Sequence, residues 1–560
     1  MPEIVGLDQA EKLVRALTTQ RAKRLHQLEQ YVAGTQYDGL DHFLSPKRDT
    51  PLLERAPHVV YPIVMAAIRQ HIDFALGEGR FPKLSTGLSE DERSLDEASG
   101  LSGDDSKKLD LFLSLLTEHA KLKGVAEDAL ESAESCGTAV AIVCARNGNL
   151  EVETTKARWC AVTHAPDGRT VETLDIQYPY VQNFKTDAGQ TRARVVMYRR
   201  LVTAKSDTVF KPLEVKNDKQ ELTSWIVDKD RTVEHNLGFC PVVWYQHKRT
   251  CQRVDEVDGK SIHHDLLDEL DALNRGLSQR DRAALYCGDP QLFESGVSAD
   301  ENIGPAGRHG DPELHLTRDA NGATYAAGYQ SLSSTARKKG AGTVWRSANP
   351  DAKVVMLTLP GDALKAIDDH CNDLAEKIHT VLGFTKASPE SVKGALSGKA
   401  LAFLFARTTS FCDRVRQDLW DGLLSPVLNM LLRMVQRLGL TGQTLNCRGS
   451  LVAAALLTRF ASLDGQTWTG PLIRPQWGTY FSPTAEEQLA EVQVAAQALA
   501  GGLITPELAV QKTARIFGIE DAASVSEDIQ TQKQERSAEA MKLAQVKGPL
   551  VPPGKDEDDE

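Results

Sequence analysis

The chain has 560 residues and a formal net charge of −12, with 41% hydrophobic and 25% charged residues. A length beyond the growth limit of one core predicts several packed regions, and that much apolar side chain excludes a mainly disordered polymer. The acidic balance disfavours a protein that grips DNA by neutralising many phosphates, although DNA could still pass such a chain without being held.

In chain order, residues 8–32 carry Leu13, Leu17, Leu25, Leu28 and Tyr31 among many charges, which predicts a helix with one buried stripe. The first thirty residues are amphipathic and charged, unlike a secretory signal, and no apolar run reaches the roughly 18 residues a membrane span needs. From Pro57 the pattern predicts a short extended stretch, then a helix stopped by Gly77 and Gly79. Residues 80–106 are polar and read as an exposed loop, followed by a helix near 107–135.

At Cys136-Gly137 the pattern changes to the apolar run TAVAIVC, and Val, Thr and Tyr with turn residues continue to about 246, a β-rich segment. Asn147-Gly148 and Pro166-Asp167-Gly168 are hairpin-turn signals, because Asn and Gly tolerate positive φ. Residues 262–287 return to helix, with Leu266, Leu270, Leu273, Leu277 and Ala284 on a heptad-like seam. Residues 288–359 are rich in Gly, Ser, Arg and Asp, contain short strand-like runs at 314–316 and 354–359, and read as a small insertion. A second seam helix over 362–382 carries Leu364, Ile367, Cys371, Leu374, Ile378 and Val381, with Asp362 as N-cap and Gly383 beyond its end.

The segment 383–398 predicts a flexible loop. A helical pattern then runs to about Leu438, and Pro426 inside it predicts a kink or break near Ser425 because proline removes a backbone donor and crowds the preceding turn. Residues 440–483 are mixed and turn-rich, helices resume at 484–502 and 506–516, and the tail PLVPPGKDEDDE reads as disordered. No internal repeat is visible.

Chemical motifs are incomplete. Gly259-Lys260-Ser261 is like the end of a phosphate-binding loop, but position 254, where that loop needs glycine, is Val. His370, Cys371, Asp369 and Asp373 could suggest a metal or nucleophilic site, yet Cys371 occupies a seam position and the others fall on the polar face of the same helix. His263-His264 read as an exposed helix start. The nine cysteines form no CxxC pair, which predicts a reduced setting and no zinc site. No catalytic, cofactor-binding or metal-binding residues are therefore assigned, and no cofactor is expected.

Four stretches carry a resemblance: VVYPIVMAAIRQHIDFALG; HNLGFCPVVWY followed by LLDELDALNRGLSQRDRAAL; SGKALAFLF; and GGLITPELAVQ after Trp477. With two helices bracketing an insertion, then a loop and a long helix, the chain resembles the portal proteins of tailed double-stranded DNA bacteriophages over roughly residues 20–520. The resemblance implies an α+β portal fold with β-containing wing, two-helix stem, inserted clip, long kinked tunnel helix and helical crown. Its regions would be wing 1–261, stem helices 262–287 and 360–382, clip 288–359, tunnel loop 383–398, tunnel helix and remaining wing 399–483, crown 484–545 and acidic tail 546–560.

It further implies a non-enzymatic homo-oligomeric ring, usually a dodecamer, at one capsid vertex of the virion, assembled in the host cytoplasm and acting in DNA packaging and ejection. The implied partners are the terminase large subunit, a head–tail connector or adaptor protein, major capsid and scaffolding proteins, and double-stranded DNA in the channel, with no membrane. An acidic wall would let DNA slide. Lys386, Lys393 and Lys399 would meet DNA from the channel loop. Leu266, Leu270, Leu273, Leu277, Leu364, Ile367, Leu374 and Ile378 would form an inter-subunit stem seam, since each stripe has no evident partner within the chain. Arg337, Lys338, Lys339 and Arg346 would dock partners at the clip, and Pro426 would kink the tunnel helix. Two other readings stand beside this one: another structural virion component such as a head–tail adaptor, and a nucleotide-using or hydrolytic enzyme, which the incomplete motifs disfavour.

Overall fold

A computed structural model describes residues 19–43, 54–86, 103–166, 168, 170–185, 191–214, 225–248, 257–288, 361–385, 398–440, 445–460, 473–481, 485–517 and 522–546, with four short strands between 293 and 347. The chain is α+β and divides into two compact units, one of residues 1–385 and 411–477, the other of 386–410 and 478–560.

The first unit opens with α1 (Gln20–Ala33), which buries Ala22, Leu25, Leu28 and Val32 on one stripe, is capped by the Thr19 side chain on Ala22 N–H, and stops at Gly34 in the left-handed region. Helix α2 (Ile63–Leu76) ends at Gly77 as the sequence predicts. Arg416 donates to the carbonyls of Ala75 and Phe74, satisfying acceptors the helix end leaves open. The expected loop at 80–106 contains a strand, β1 (Lys83–Ser85), whose partner lies some 390 positions later and so could not be read locally. The single helix expected near 107–135 is two, α3 (Gly103–His119) and α4 (Leu122–Cys136), separated where Lys121 adopts φ 50°.

Two sheets follow. In the first, β2 (Thr138–Arg146) is central between β3 (Asn149–Lys156) and β10 (Val242–Gln246), all antiparallel, and consecutive residues along it are buried, so both faces are covered and the apolar run is unbroken. Asn147 and Gly148, both at positive φ, turn β2 into β3. The second sheet is built on the long hairpin of β5 (Val171–Lys185) and β6 (Thr191–Thr203), flanked by β4 (Cys160–His164), β7 (Ser206–Val209), β8 (Leu213–Glu214) and β9 (Val233–Glu234). Leu25, Val140, Ile142, Leu174, Ile176, Val202 and Val242 meet in one buried cluster, so α1 and both sheets share a core. At about 25 cal/mol per Å² of apolar area removed from water, such burial is the main term holding these layers together.

Helices α5 (Leu267–Gly288) and α6 (Gly361–Leu382) pair with each other. Between them, β11 (Phe293–Ser295) pairs parallel with β14 (Trp345–Ser347), and β12 (Leu316–Arg318) antiparallel with β13 (Thr324–Ala326); the strand-like run at 354–359 lies outside the described residues. The expected long helix comprises α7 (Gly398–Leu404), α8 (Ala406–Leu419), a π-helical turn over Trp420–Leu424, and α9 (Ser425–Leu440). The proline signal is resolved by that turn: Ser425 N–H reaches back to Trp420 O just before Pro426, which has no N–H to donate. Gly422 in the turn lies so close to Tyr245 that a Cβ would stand 2.6 Å from its ring.

The mixed, turn-rich stretch near 440–483 contributes residues 445–460 and 473–477 to the first unit. Asn446 donates to Asn147 O and Asn149 Oδ1 at the β2–β3 turn, α10 (Ser450–Phe460) packs on α9 and α3, and β15 (Arg474–Gln476) completes the sheet with β1. In the second unit, α11 (Ala485–Ala500), α12 (Pro506–Phe517) and α13 (Ala522–Val546) pack in succession, and Phe405 contacts Phe481. Among the described residues no helix is long and apolar enough to cross a membrane.

Candidate functional site

The most elaborately built feature is the α5–α6 hairpin and its mounting. On one side, α5 is tied to residues 31–61: Asp271 Oδ1 accepts from the hydroxyls of Tyr31 (2.8 Å) and Tyr37 (2.5 Å), Asn274 Oδ1 accepts from Tyr61 N–H, and Ser278 Oγ accepts from the N–H groups of His58 and Val59. Burial first, and then the Asp271 carboxylate, push both phenols above their ordinary range, so they remain donors. On the other side, Gly276 permits close approach of α6; a Cβ there would stand 2.7 Å from Cys371 Sγ, and Arg280 pairs with Asp368.

This mounting corrects the premise of the seam. Leu266, Leu270, Leu273 and Ile378 are buried within the single chain, and Leu277, Leu364, Ile367 and Leu374 are half-buried. Helix α5 pairs with α6 and is hydrogen-bonded to the N-terminal region, and the four buried residues are covered within the subunit rather than left without a partner. Ala284 and Val381, expected on the same stripes, are exposed.

The end of α6 is fastened next. Gln70 on α2 exchanges two hydrogen bonds with the Thr385 backbone, Phe384 stacks on His379 at 4.6 Å, and Gly383 at φ 73° leaves room for Phe411. Of the loop lysines, Lys386 and Lys393 lie outside the described residues, and Lys399 is the second residue of α7. Arg337, Lys338 and Lys339 also lie outside them; Arg346 is in β14, opposite Glu294.

The remaining chemical candidates resolve into structural roles. The backbone around Gly259-Lys260-Ser261 is spent on the protein itself: Gly259 N–H donates to Thr138 Oγ1, Lys260 N–H to His247 O and Ile262 N–H to Glu134 O. Gly259 and Gly137 are pressed together, which explains the glycine without phosphate, and Lys260 pairs with Asp265. Cys371 is buried and burial pushes its thiol up, whereas His370 beside it is exposed. His263 is buried rather than an exposed helix start, with Nε2 3.2 Å from Leu28 O. Among the described residues seven cysteines, Cys371 among them, are free and buried.

Cys144, Glu151 and Glu153 bring potential metal-ligand atoms within 4.8 Å of one another. Glu153 is already held by Arg146 and Arg200, and Arg200 also by Asp207. Burial opposes the Arg200 charge, but the two carboxylates outweigh it and push its pKa up. Burial raises the Cys144 thiol to about 11, so the group is a satisfied ion network with a neutral thiol. A cleft of about 940 Å³ lies along β10, the π turn and α9, reached by Lys248, Asp421 and Arg433. Lys248 lies over the Phe411 ring and Arg433 over Phe239, so both cations have aromatic partners.

Sequence reasoning missed two buried polar centres. His71 and Glu134 form a pair at 3.0 Å with neither side chain exposed, and Asp258 gathers Arg21, Arg24 and Thr138. No pattern of spacing marks either one, because the partners come from distant segments. No protein-family model and no curated protein matches the chain.

Proposed function

We propose that the chain is a portal-type subunit: copies form a ring at one capsid vertex of a tailed phage, through which double-stranded DNA is packaged and ejected. The observation that carries this reading is the pairing of α5 with α6, whose shared end carries residues 289–360 and whose other end leads through 386–397 into the segmented helix 398–440. In such a ring the paired helices would supply a rigid wall, the residues between them a docking module, and the segment after them a stretch that can reach the lumen.

The ring would act by geometry, with a separate terminase ATPase supplying work. The insertion would meet the terminase large subunit during packaging and a head–tail connector or adaptor afterwards. Capsid and scaffolding proteins would surround the ring. A formal charge of −12 on each copy suits a wall that DNA passes without adhering. Electron microscopy and native mass measurement of the purified chain test the reading. Closed rings with a central channel are expected, and a strictly monomeric chain at all concentrations, with scaffold present as well, overturns it.

A further inference from the structure

Two faces of the α5–α6 hairpin are left uncovered by the described residues, and their charges differ. On α5, Gly276 and Arg280 face α6 while Asp271, Asn274 and Ser278 face the N-terminal segment. The positions left at helical spacing, 268, 272, 275 and 279, are all exposed, and Arg275 among them has no ion partner among the described residues. On α6, Cys371 and Ile378 are buried, while the opposite stripe of Asp369, Asp373 and Glu376 is exposed and likewise unpaired. The two stripes lie on different faces of the hairpin, each outside the helix–helix contact.

Resting on the ring reading, with the hairpin standing along the ring axis, we propose that the Arg275 face of α5 in one subunit docks on the acidic face of α6 in the next. The register follows from symmetry. Rotation about the ring axis leaves every residue at its own height, so residues level within one hairpin are level across the subunit boundary. Gly276 is level with Cys371, and Arg280 with Asp368, so Arg275 is level with Asn372–Asp373. Asp369 and Glu376 then stand about one turn to either side of it. Toward the N-terminal end of α5, Asp268 is level with Thr380, about one turn from Lys377, and Asp268 and Lys377 are both exposed. Opposite charges face each other at the Arg275 height and lie about one turn apart at the other. The contact is head-to-tail, each subunit using one face toward each neighbour, which is the arrangement that closes a ring.

Charge-reversal variants of the full chain test this surface. Arg275→Glu and Asp373→Lys should each raise the concentration needed for ring assembly by about fivefold or more, since reversal turns an attraction of rim charges into repulsion at every boundary. Combining the two changes in one chain, or mixing the single variants in equal amounts, should restore assembly, because Glu then meets Lys. Arg275→Gln and Asp373→Asn weaken assembly less and cover the case in which a reversed side chain disturbs folding, checked by unfolding midpoints. If the unaltered chain forms rings and neither the reversed nor the neutral variants change its assembly, this surface is the wrong one. A chain that never forms rings overturns the ring reading itself and the surface with it.

Discussion

Asp258 is 4% exposed and accepts from both Nε and Nη2 of Arg21, with Arg24 and Thr138 Oγ1 adding further contacts, so a buried carboxylate is compensated on every side. His247 and His263 are buried without such compensation. Burial first, then the nearby charges of Lys248 and His71, push His247 down to about 3; burial pushes His263 down to about 4 against the hydrogen bond to Leu28 O. The unfolded chain takes up a proton at each imidazole near pH 6.5, while the folded chain resists until far lower. Below that pH the unfolded state binds more protons, so stability falls as pH falls, with nothing lost above it. Each histidine should remove about 2 kcal/mol between neutral pH and pH 5. Urea midpoints for the native chain and for His247→Gln should show it, the variant having the flatter pH dependence; parallel slopes would assign the acid loss elsewhere.

At the scale of elements, Gly276 decides how closely α5 and α6 approach. In an open helix, changing glycine to alanine stabilises by about 1 kcal/mol. Here the added Cβ would stand 2.7 Å from Cys371 Sγ, and overpacking costs about 1–3 kcal/mol, so the packing term wins. Gly276→Ala alone should therefore lower the unfolding free energy. In a Cys371→Ala background the same change should raise it, because the obstructing sulfur is gone and the helix preference remains. Equal effects in both backgrounds would mean that the two helices are not held together at this point. The π turn before Pro426 belongs to the same scale: the missing donor at Pro426 and the Gly422 approach to Tyr245 are both accommodated within Trp420–Leu424.

For the whole molecule, the proposed channel makes separable demands on its lysines and on the insertion. Changing Lys386, Lys393 and Lys399 to alanine removes compact charges that would touch phosphate without reading sequence, so rings should form normally while packaged DNA length or DNA retention changes. Reversing Arg337, Lys338, Lys339 and Arg346 should leave rings intact and weaken binding of the packaging ATPase. Normal packaging and retention in the first variant removes the lysines from the channel, and unchanged docking in the second removes those cations from the interface. Ring collapse in either case would make the segment a structural joint.

What the sequence by itself determined is the kind and order of most elements. The heptad-like stripes of α5 and α6, the apolar run of β2, the Asn147-Gly148 turn and the stop at Gly77 are all legible, because periodicity, turn chemistry and capping act within a few residues. Only the tertiary structure decided what each surface meets. Leu270 and Ile378 looked free for a neighbouring subunit until folding buried them within the chain, and Lys83–Ser85 looked like loop until Arg474–Gln476 paired with it. Arg21 and Asp258 stand 237 positions apart, and His71 and Glu134 stand 63 apart. A buried polar pair leaves no local signature, since its stability depends on partners that only folding brings out of water together.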